Sequence, residues 1–283
     1  MKIPSELLME RETRLAFGPV PRRLFGDLLE ETTWQMLDDE FLLRGEGDHY
    51  FYYRKGEGVT IDRGKYLDLS EESLWLNGSV YSAIASMNGL LPIHASAVAH
   101  SGRVFAFTGP AGAGKSTLVA ALANHGMPMF CDDTLVLDLS HPDRVICLPG
   151  HKRLKLRPDA IALTGANSQE KVSRTVDKFY ALPAAGDVAE ALPLEELIFL
   201  ESAESPMILR ITGGERLTRL QDDHQTTQLF AGANRLERAA TFDLFARLCR
   251  QVAMADFLRP FDRNRFQEGV ALAAKFVTNR HDE

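Results

Sequence analysis

One stretch constrains this chain more than any other: Gly109-Pro110-Ala111-Gly112-Ala113-Gly114-Lys115-Ser116, followed by Thr117. It matches the pattern G-x-x-x-x-G-K-[ST]. Glycines at these spacings let successive backbone N–H groups converge on phosphate oxygens with no Cβ in the way. A helix that starts at the lysine aims its positive end at the same anion. Lys115 then reaches the outer phosphates, and the Ser116 hydroxyl ligates Mg²⁺. The pattern demands a buried strand before it and an amphipathic helix after it. Val104-Phe105-Ala106-Phe107-Thr108 reads as a strand covered on both faces, and residues 115–125 carry Leu118, Ala121 and Leu122 on one helical face before Gly126 stops them. The competing reading is a glycine-rich turn that binds nothing. The flanks favour a nucleotide-phosphate site.

Asp132 and Asp133 close the apolar stretch 127–131, one helix and one strand after the loop. Carboxylates there lie beside the phosphates. One can hold Mg²⁺, directly or through water, while the other accepts the proton of an attacking hydroxyl. The alternative is an acidic turn between two strands. His94 stands in an apolar strand, where a lone histidine is more often a satisfied core residue. Lys152, Arg153, Lys155 and Arg157 fall in a strand over 151–157 that would put 153, 155 and 157 on one face and turn Leu154 and Leu156 inward. That cationic face is either solvated or a rim that attracts an acidic peptide or the phosphates. Arg174 and Lys178 lie in or just after a polar segment, and either could cap the γ-phosphate.

Composition narrows the partners. A net charge of −7 is set against a broad nucleic-acid footprint, though not against a local basic patch. Cys131, Cys147 and Cys249 have neither metal spacing nor an even count, which suits a reducing compartment. The other histidines form no metal constellation. No run of 18 apolar residues exists, and the N-terminus is too charged for a signal peptide. A cytoplasmic protein without nucleic-acid or membrane partners is expected.

The chain changes character near residue 90. Residues 1–48 read as a helical and irregular lead-in. A hairpin is expected over 49–63, continuing as a meander through 66–69 and 73–76, then a helix over 78–89 ending at Asn88-Gly89. Strands follow at 93–99, 103–108, 127–131, 134–139, 145–148 and 153–156. A helix from Pro158 ends at Gly165. Residues 165–177 read as a mobile polar loop, 194–201 and 207–212 as strands, 234–253 as a helix, 258–260 as an extended link and 262–276 as a last helix.

Ile93-His94-Ala95-Ser96-Ala97-Val98, the glycine-rich loop, His125-Gly126 and Cys131-Asp132-Asp133 together resemble the catalytic domain of the HPr kinase/phosphorylase family in order and spacing. The resemblance is specific over about residues 90–140. It is nearest the branch that carries LHASAV and includes the kinases that tailor lasso peptides. It implies a mixed α/β fold: a P-loop kinase domain of HPr kinase/phosphoenolpyruvate carboxykinase type over 91–283, with C-terminal helices and an N-terminal β-containing lobe over 1–90. It implies that Gly109, Pro110, Ala111, Gly112, Ala113, Gly114, Lys115, Ser116 and Thr117 bind ATP. Asp133 matches the proton acceptor for a serine hydroxyl, Asp132 lies with Ser116 near Mg²⁺, and His94 matches an active-site histidine. The family's Glu-Ile-Arg-Gly signature is absent, so reverse phosphorolysis is not implied. The first 90 residues do not resemble the regulatory domain, which sets HPr aside as substrate. The reading is an ATP- and Mg²⁺-dependent kinase acting on a serine of a peptide or protein, foremost a ribosomally made precursor peptide. The rivals are a small-molecule kinase and a non-catalytic nucleotide-binding regulator. A homo-oligomer is left open.

Overall fold

The computed structural model describes residues 2–65, 69–174, 176–221 and 238–279. The chain forms two compact units, the first running through Pro92 and the second holding most of the chain from Ile93 onward.

In the first unit, the helix Pro4–Glu12 starts with proline in its first turn, and the Glu6 carboxylate accepts the Ile3 N–H at 2.8 Å. The strands are β1 (Leu15–Phe17), β2 (Leu29–Glu30), β3 (Trp34–Met36), β4 (Glu40–Arg44), β5 (Tyr50–Arg54) and β6 (Gly58–Asp62). They form one sheet in the order β1-β6-β5-β4-β3-β2, antiparallel except for the β1–β6 pair. Two cross-strand rows, Phe41–Tyr53–Val59 and Leu43–Phe51–Ile61, bury one face. The Tyr53 hydroxyl donates to the buried Glu12 carboxylate at 2.8 Å. Three expectations need correction here. Residues 1–48 hold a helix, as expected, but also four strands where irregular chain was expected, because short strands of two to five residues leave little alternation to read. Residues 66–68 lie outside the described residues, and 73–76, expected as a strand, are helical. The helix assigned to 78–89 begins earlier, as a π-helical stretch Leu76–Val80 followed by the α-helix Tyr81–Met87, with Gly89 at φ +76° after it.

β7 (Leu91–Ile93) leads into the second unit. There β8 (Ala95–His100) and β9 (Arg103–Thr108) form a hairpin, and β10 (Met129–Cys131) adds to the free side of β8. After β11 (Leu135–Asp138), β12 (Ile146–Leu148), β13 (Leu154–Leu156), β14 (Asn167–Lys171) and β15 (Phe179–Leu182) comes β16 (Leu192–Ser202), which lies parallel to β9. β17 (Met207–Arg210) and β18 (Ala253–Arg259) complete the sheet, β18 parallel to β16 and β17 antiparallel to β18. β11 and β12 pair beside the start of β16. β13, β15 and β14 make a separate three-stranded sheet.

The helix Lys115–Ala123 and the last helix, Phe266–Thr278, share one core with the strands. Phe266, Val270, Ala273, Ala274 and Val277 recur at helical spacing and bury against Phe257, Leu118 and Leu122. Each large apolar side chain so buried contributes about 1.5–3 kcal/mol. The mixed α/β class is as the resemblance implied.

Four readings in this unit are corrected. Residues 167–171 form β14, paired with β15, rather than part of an open loop. All five of its side chains are exposed, so no hydrophobic period betrays the strand. The helix read over 234–253 ends at Gln251, and its first residues, with Leu236, lie outside the described residues. The extended link at 258–260 begins as the end of β18. The last helix starts at Phe266 after a short 3₁₀ turn, Arg263–Arg265. Among the described residues, no helix is long and apolar enough to cross a membrane.

Candidate active site

β9 ends at Thr108, and the glycine-rich loop carries the chain from the sheet into the helix that begins at Lys115. Gly109 takes φ +145° and Gly114 φ +81°. A Cβ on Gly109 would lie 2.9 Å from the Leu200 carbonyl oxygen, and one on Gly114 would lie 2.6 Å from Arg259 Nη2. Both positions favour glycine for conformation, and Gly109, facing a backbone carbonyl, favours it for space as well. The Gly114 carbonyl accepts the Leu118 N–H at 2.9 Å, the first bond of the helix. Lys115 Nζ is folded into the loop, donating to the carbonyls of Gly109 at 2.7 Å and Pro110 at 3.1 Å. The ammonium occupies these two carbonyls and the Ala113 N–H donates to the Pro110 carbonyl at 3.1 Å, which leaves the loop's other amides to meet an anion.

β10 delivers the acid pair. Asp132, 2% exposed, is held from three directions. Its Oδ1 accepts from Ser116 Oγ at 2.7 Å and from Ser96 Oγ at 2.6 Å, and its Oδ2 accepts the Lys155 N–H at 2.9 Å. Asp133 follows in the left-handed region, at φ +73°, a conformation that L residues seldom adopt and that is sustained by its surroundings. Its Oδ2 accepts from Lys155 Nζ at 2.7 Å, and its backbone carbonyl meets His94 Nδ1 at 2.9 Å. The two neighbouring carboxylates thus have different environments: one locked in the interior against the loop serine, the other 34% exposed between an imidazole and an ammonium.

The electrostatics follow from these contacts. Burial pushes the Asp133 carboxyl up, but the Lys155 ammonium and its hydrogen bond, helped by His94 and Lys178, pull it further down, to below the ordinary carboxylate value. His94 is also shifted below its ordinary value, first by burial and then by the Lys115 charge, with Asp133 opposing. At neutral pH the pair is a carboxylate beside a neutral imidazole.

The oxygen donors Ser116 Oγ and Asp132 Oδ1 suit a hard cation such as Mg²⁺, which takes few protein ligands and fills its shell with water and substrate phosphate. Among the described residues there is no cluster of three His, Cys, Asp or Glu that could hold a metal alone. The donor set therefore fits an ion shared with phosphates rather than a closed structural site.

No family model matches the chain, and no curated protein matches it. Among solved structures it is similar to the HPr(Ser) kinase/phosphatase from Coxiella burnetii. The match covers 67% of this chain and 90% of that one, at 14% identity and a TM-score of 0.37.

Of the residues singled out in the sequence, His94, Lys115, Ser116, Asp132 and Asp133 lie together. Lys178 is half-buried, and its charge acts on Asp133. Arg174 is exposed. The basic strand behaves differently from its expected solvated or rim-like face. Leu154 and Leu156 turn into the core, and Lys155 on the opposite face is buried against the acid pair. Lys152 is spent on the carbonyls of Phe130 and Val188, and Arg153 pairs with Glu170 at 2.6 Å and stacks 4.0 Å over the Tyr180 ring. Arg157 is exposed. Close approach at Gly150, where a Cβ would meet Cys131 Cβ at 2.8 Å, lets this segment run so near β10.

Two further residues escaped the sequence reading. Ser96 lies on β8 and donates to Asp132, whereas His94, expected within an apolar strand, falls between β7 and β8. Arg259, 146 residues from the loop it touches, had no local signal.

Proposed function

We propose that this chain is an ATP- and Mg²⁺-dependent kinase that transfers the γ-phosphoryl group to a serine hydroxyl of a peptide or protein. The observation that carries the reading is the joining of loop and acid pair: Ser116 of the glycine-rich loop is hydrogen-bonded to Asp132, and the next residue, Asp133, presents a partly exposed, ionised carboxylate between His94 and Lys155. A phosphate-binding turn without chemistry would not need a strained acid at its mouth.

In this reading the loop 109–117 holds the nucleotide phosphates with its N–H groups, and Lys115 neutralises them. Ser116 and Asp132 would hold Mg²⁺, which when bound offsets charge on the phosphate oxygens. Asp133 orients the acceptor hydroxyl and takes its proton as the oxygen attacks phosphorus. Its depressed pKa keeps it ready to accept at neutral pH and favours release of the proton afterwards. Lys155 fixes Asp133 by a short ion pair, and neutral His94 buttresses its backbone. The action of the Lys178 charge on Asp133 supports Lys178 over Arg174 as the cation for the γ-phosphate. The domain reading accompanies this: a lobe over 1–90 and a kinase domain over 91–283. The sequence resemblance favours a ribosomally made precursor peptide, such as a lasso peptide precursor, as the acceptor.

The test is to incubate the protein with γ-labelled ATP, Mg²⁺ and a serine-bearing precursor peptide, beside the same peptide with that serine replaced by alanine. The reading expects label on the serine peptide alone. ATP consumed with release of free phosphate only, whatever the acceptor, would defeat it.

A further inference from the structure

Arg259 ends β18 beneath the glycine-rich loop and is 5% exposed. Its stem lies along the last helix, where a Cβ on Gly269 would come within 3.8 Å of it. Its Nη2 donates to the Ala113 carbonyl at 2.6 Å, its guanidinium stands 5.4 Å from the Phe261 ring, and its Nε is buried without a hydrogen-bond partner among the described residues. Among the described residues no carboxylate pairs with it. A buried cation without a counterion is expensive, and chains seldom keep one without compensation.

The position says where the compensation comes from. A trans peptide is planar, so the Ala113 carbonyl and the Gly114 N–H point in opposite directions. A guanidinium that holds the carbonyl from below turns that N–H toward the other side, into the loop. Gly114 takes φ +81°, and a Cβ there would lie 2.6 Å from Nη2, so the absence of a side chain leaves space for the guanidinium. Lys115 Nζ occupies the carbonyls of Gly109 and Pro110, so the two cations fix different carbonyls of one turn.

We infer that Arg259 is a positioning residue of the phosphate loop, and that its buried charge takes the bound phosphate group as its counterion. The inference rests on the phosphate-site reading above. It makes Arg259 a device that sets phosphate affinity at a cost to the ligand-free protein, rather than a brace for the fold.

The experiment compares the full chain with Arg259→Gln and Arg259→Lys. Each is titrated with inorganic tripolyphosphate and with ATP·Mg²⁺ by calorimetry, and each is melted with and without tripolyphosphate. The expected result has three parts. Arg259→Gln melts, without ligand, no more than about 3 °C below the wild type, since a neutral side chain relieves the buried charge. It binds tripolyphosphate about tenfold or more weakly, the scale of one lost charge acting across a peptide in a partly buried site. Arg259→Lys, which keeps the charge, binds within about threefold of the wild type. Unchanged affinity in Arg259→Gln overturns the inference, and so does a glutamine variant that fails to fold, which would mark a brace. A lysine variant as weak as the glutamine variant overturns the counterion role. A wild type that binds neither probe refutes the phosphate site itself, a failure distinct from any of these.

Discussion

Asp133→Asn separates chemistry from binding more sharply than any other single change at this site. Asparagine keeps the volume and one acceptor oxygen, so Lys155 Nζ, now 2.7 Å from the carboxylate, retains a hydrogen bond and loses an ion pair. Breaking a fully buried pair costs about 3–5 kcal/mol. Here the lysine side chain is 6% exposed but the aspartate side chain is 34% exposed, and water screens that end. The stability cost is therefore about 1–2 kcal/mol, a drop of a few degrees in melting temperature. The catalytic cost is larger. A positioned general base is worth about 10²–10⁴ in rate, or about 3–5 kcal/mol of transition-state stabilisation. Asp132, which alone of the two acids holds Ser116, is untouched, so ATP·Mg²⁺ affinity should change by less than about threefold. The assay pairs initial rates of peptide phosphorylation with calorimetric titration of nucleotide. Transfer within tenfold of the wild type would refute the assignment of Asp133 as proton acceptor. A far greater loss in Asp132→Asn, with nucleotide binding preserved, would reverse the roles of the two acids.

Three other changes follow from the same geometry. Lys178→Ala should lower the transfer rate more than Arg174→Ala, because the Lys178 charge reaches Asp133 while Arg174 is exposed; equal effects, measured at saturating ATP, would contradict this. Tyr180→Phe should leave stability unchanged or raise it by about 1 kcal/mol in urea melts, since the buried Tyr180 hydroxyl has no partner among the described residues, and a loss above about 1 kcal/mol would show a partner in solution. Both Asp133 and His94 are shifted downward, so the unfolded chain binds their protons more tightly. Their contribution to stability is present above the unfolded values, about 3.9 for aspartate and 6.5 for histidine, and is lost as pH falls through the lower folded ones. Neither group should then produce an inflection in transfer rate between about pH 6.5 and 8; an acid limb in that range that disappears in His94→Asn would contradict it.

The loop was legible because everything that shapes it is local. The positive φ at Gly114, the entering strand and the leaving helix are all encoded within some 20 consecutive residues. The acid pair was legible for a related reason, since β10 returns directly beside β8 and carries it back to the loop. What could not be seen depends on contacts between distant segments. The periodicity of Leu154, Lys155 and Leu156 reports two faces but not what covers the second one, and here Asp133 covers it. β14 has no apolar face, so its identity comes from pairing with β15 and not from its own residues. Arg259 reaches Ala113 through the parallel alignment of β9, β16 and β18, a relation no local pattern contains.

The central claim is that residues 109–117 hold nucleotide phosphates beside an acid pair, and the direct measurement is calorimetric titration of ATP·Mg²⁺ into the wild type and Lys115→Ala. Lys115 is the side-chain cation folded into the loop, where it contacts the Gly109 and Pro110 carbonyls. The account predicts saturable binding by the wild type and a loss of at least about tenfold in the variant, with both proteins melting as single folded species. Absence of saturable binding by the wild type, or equal affinity in the two proteins, would contradict it.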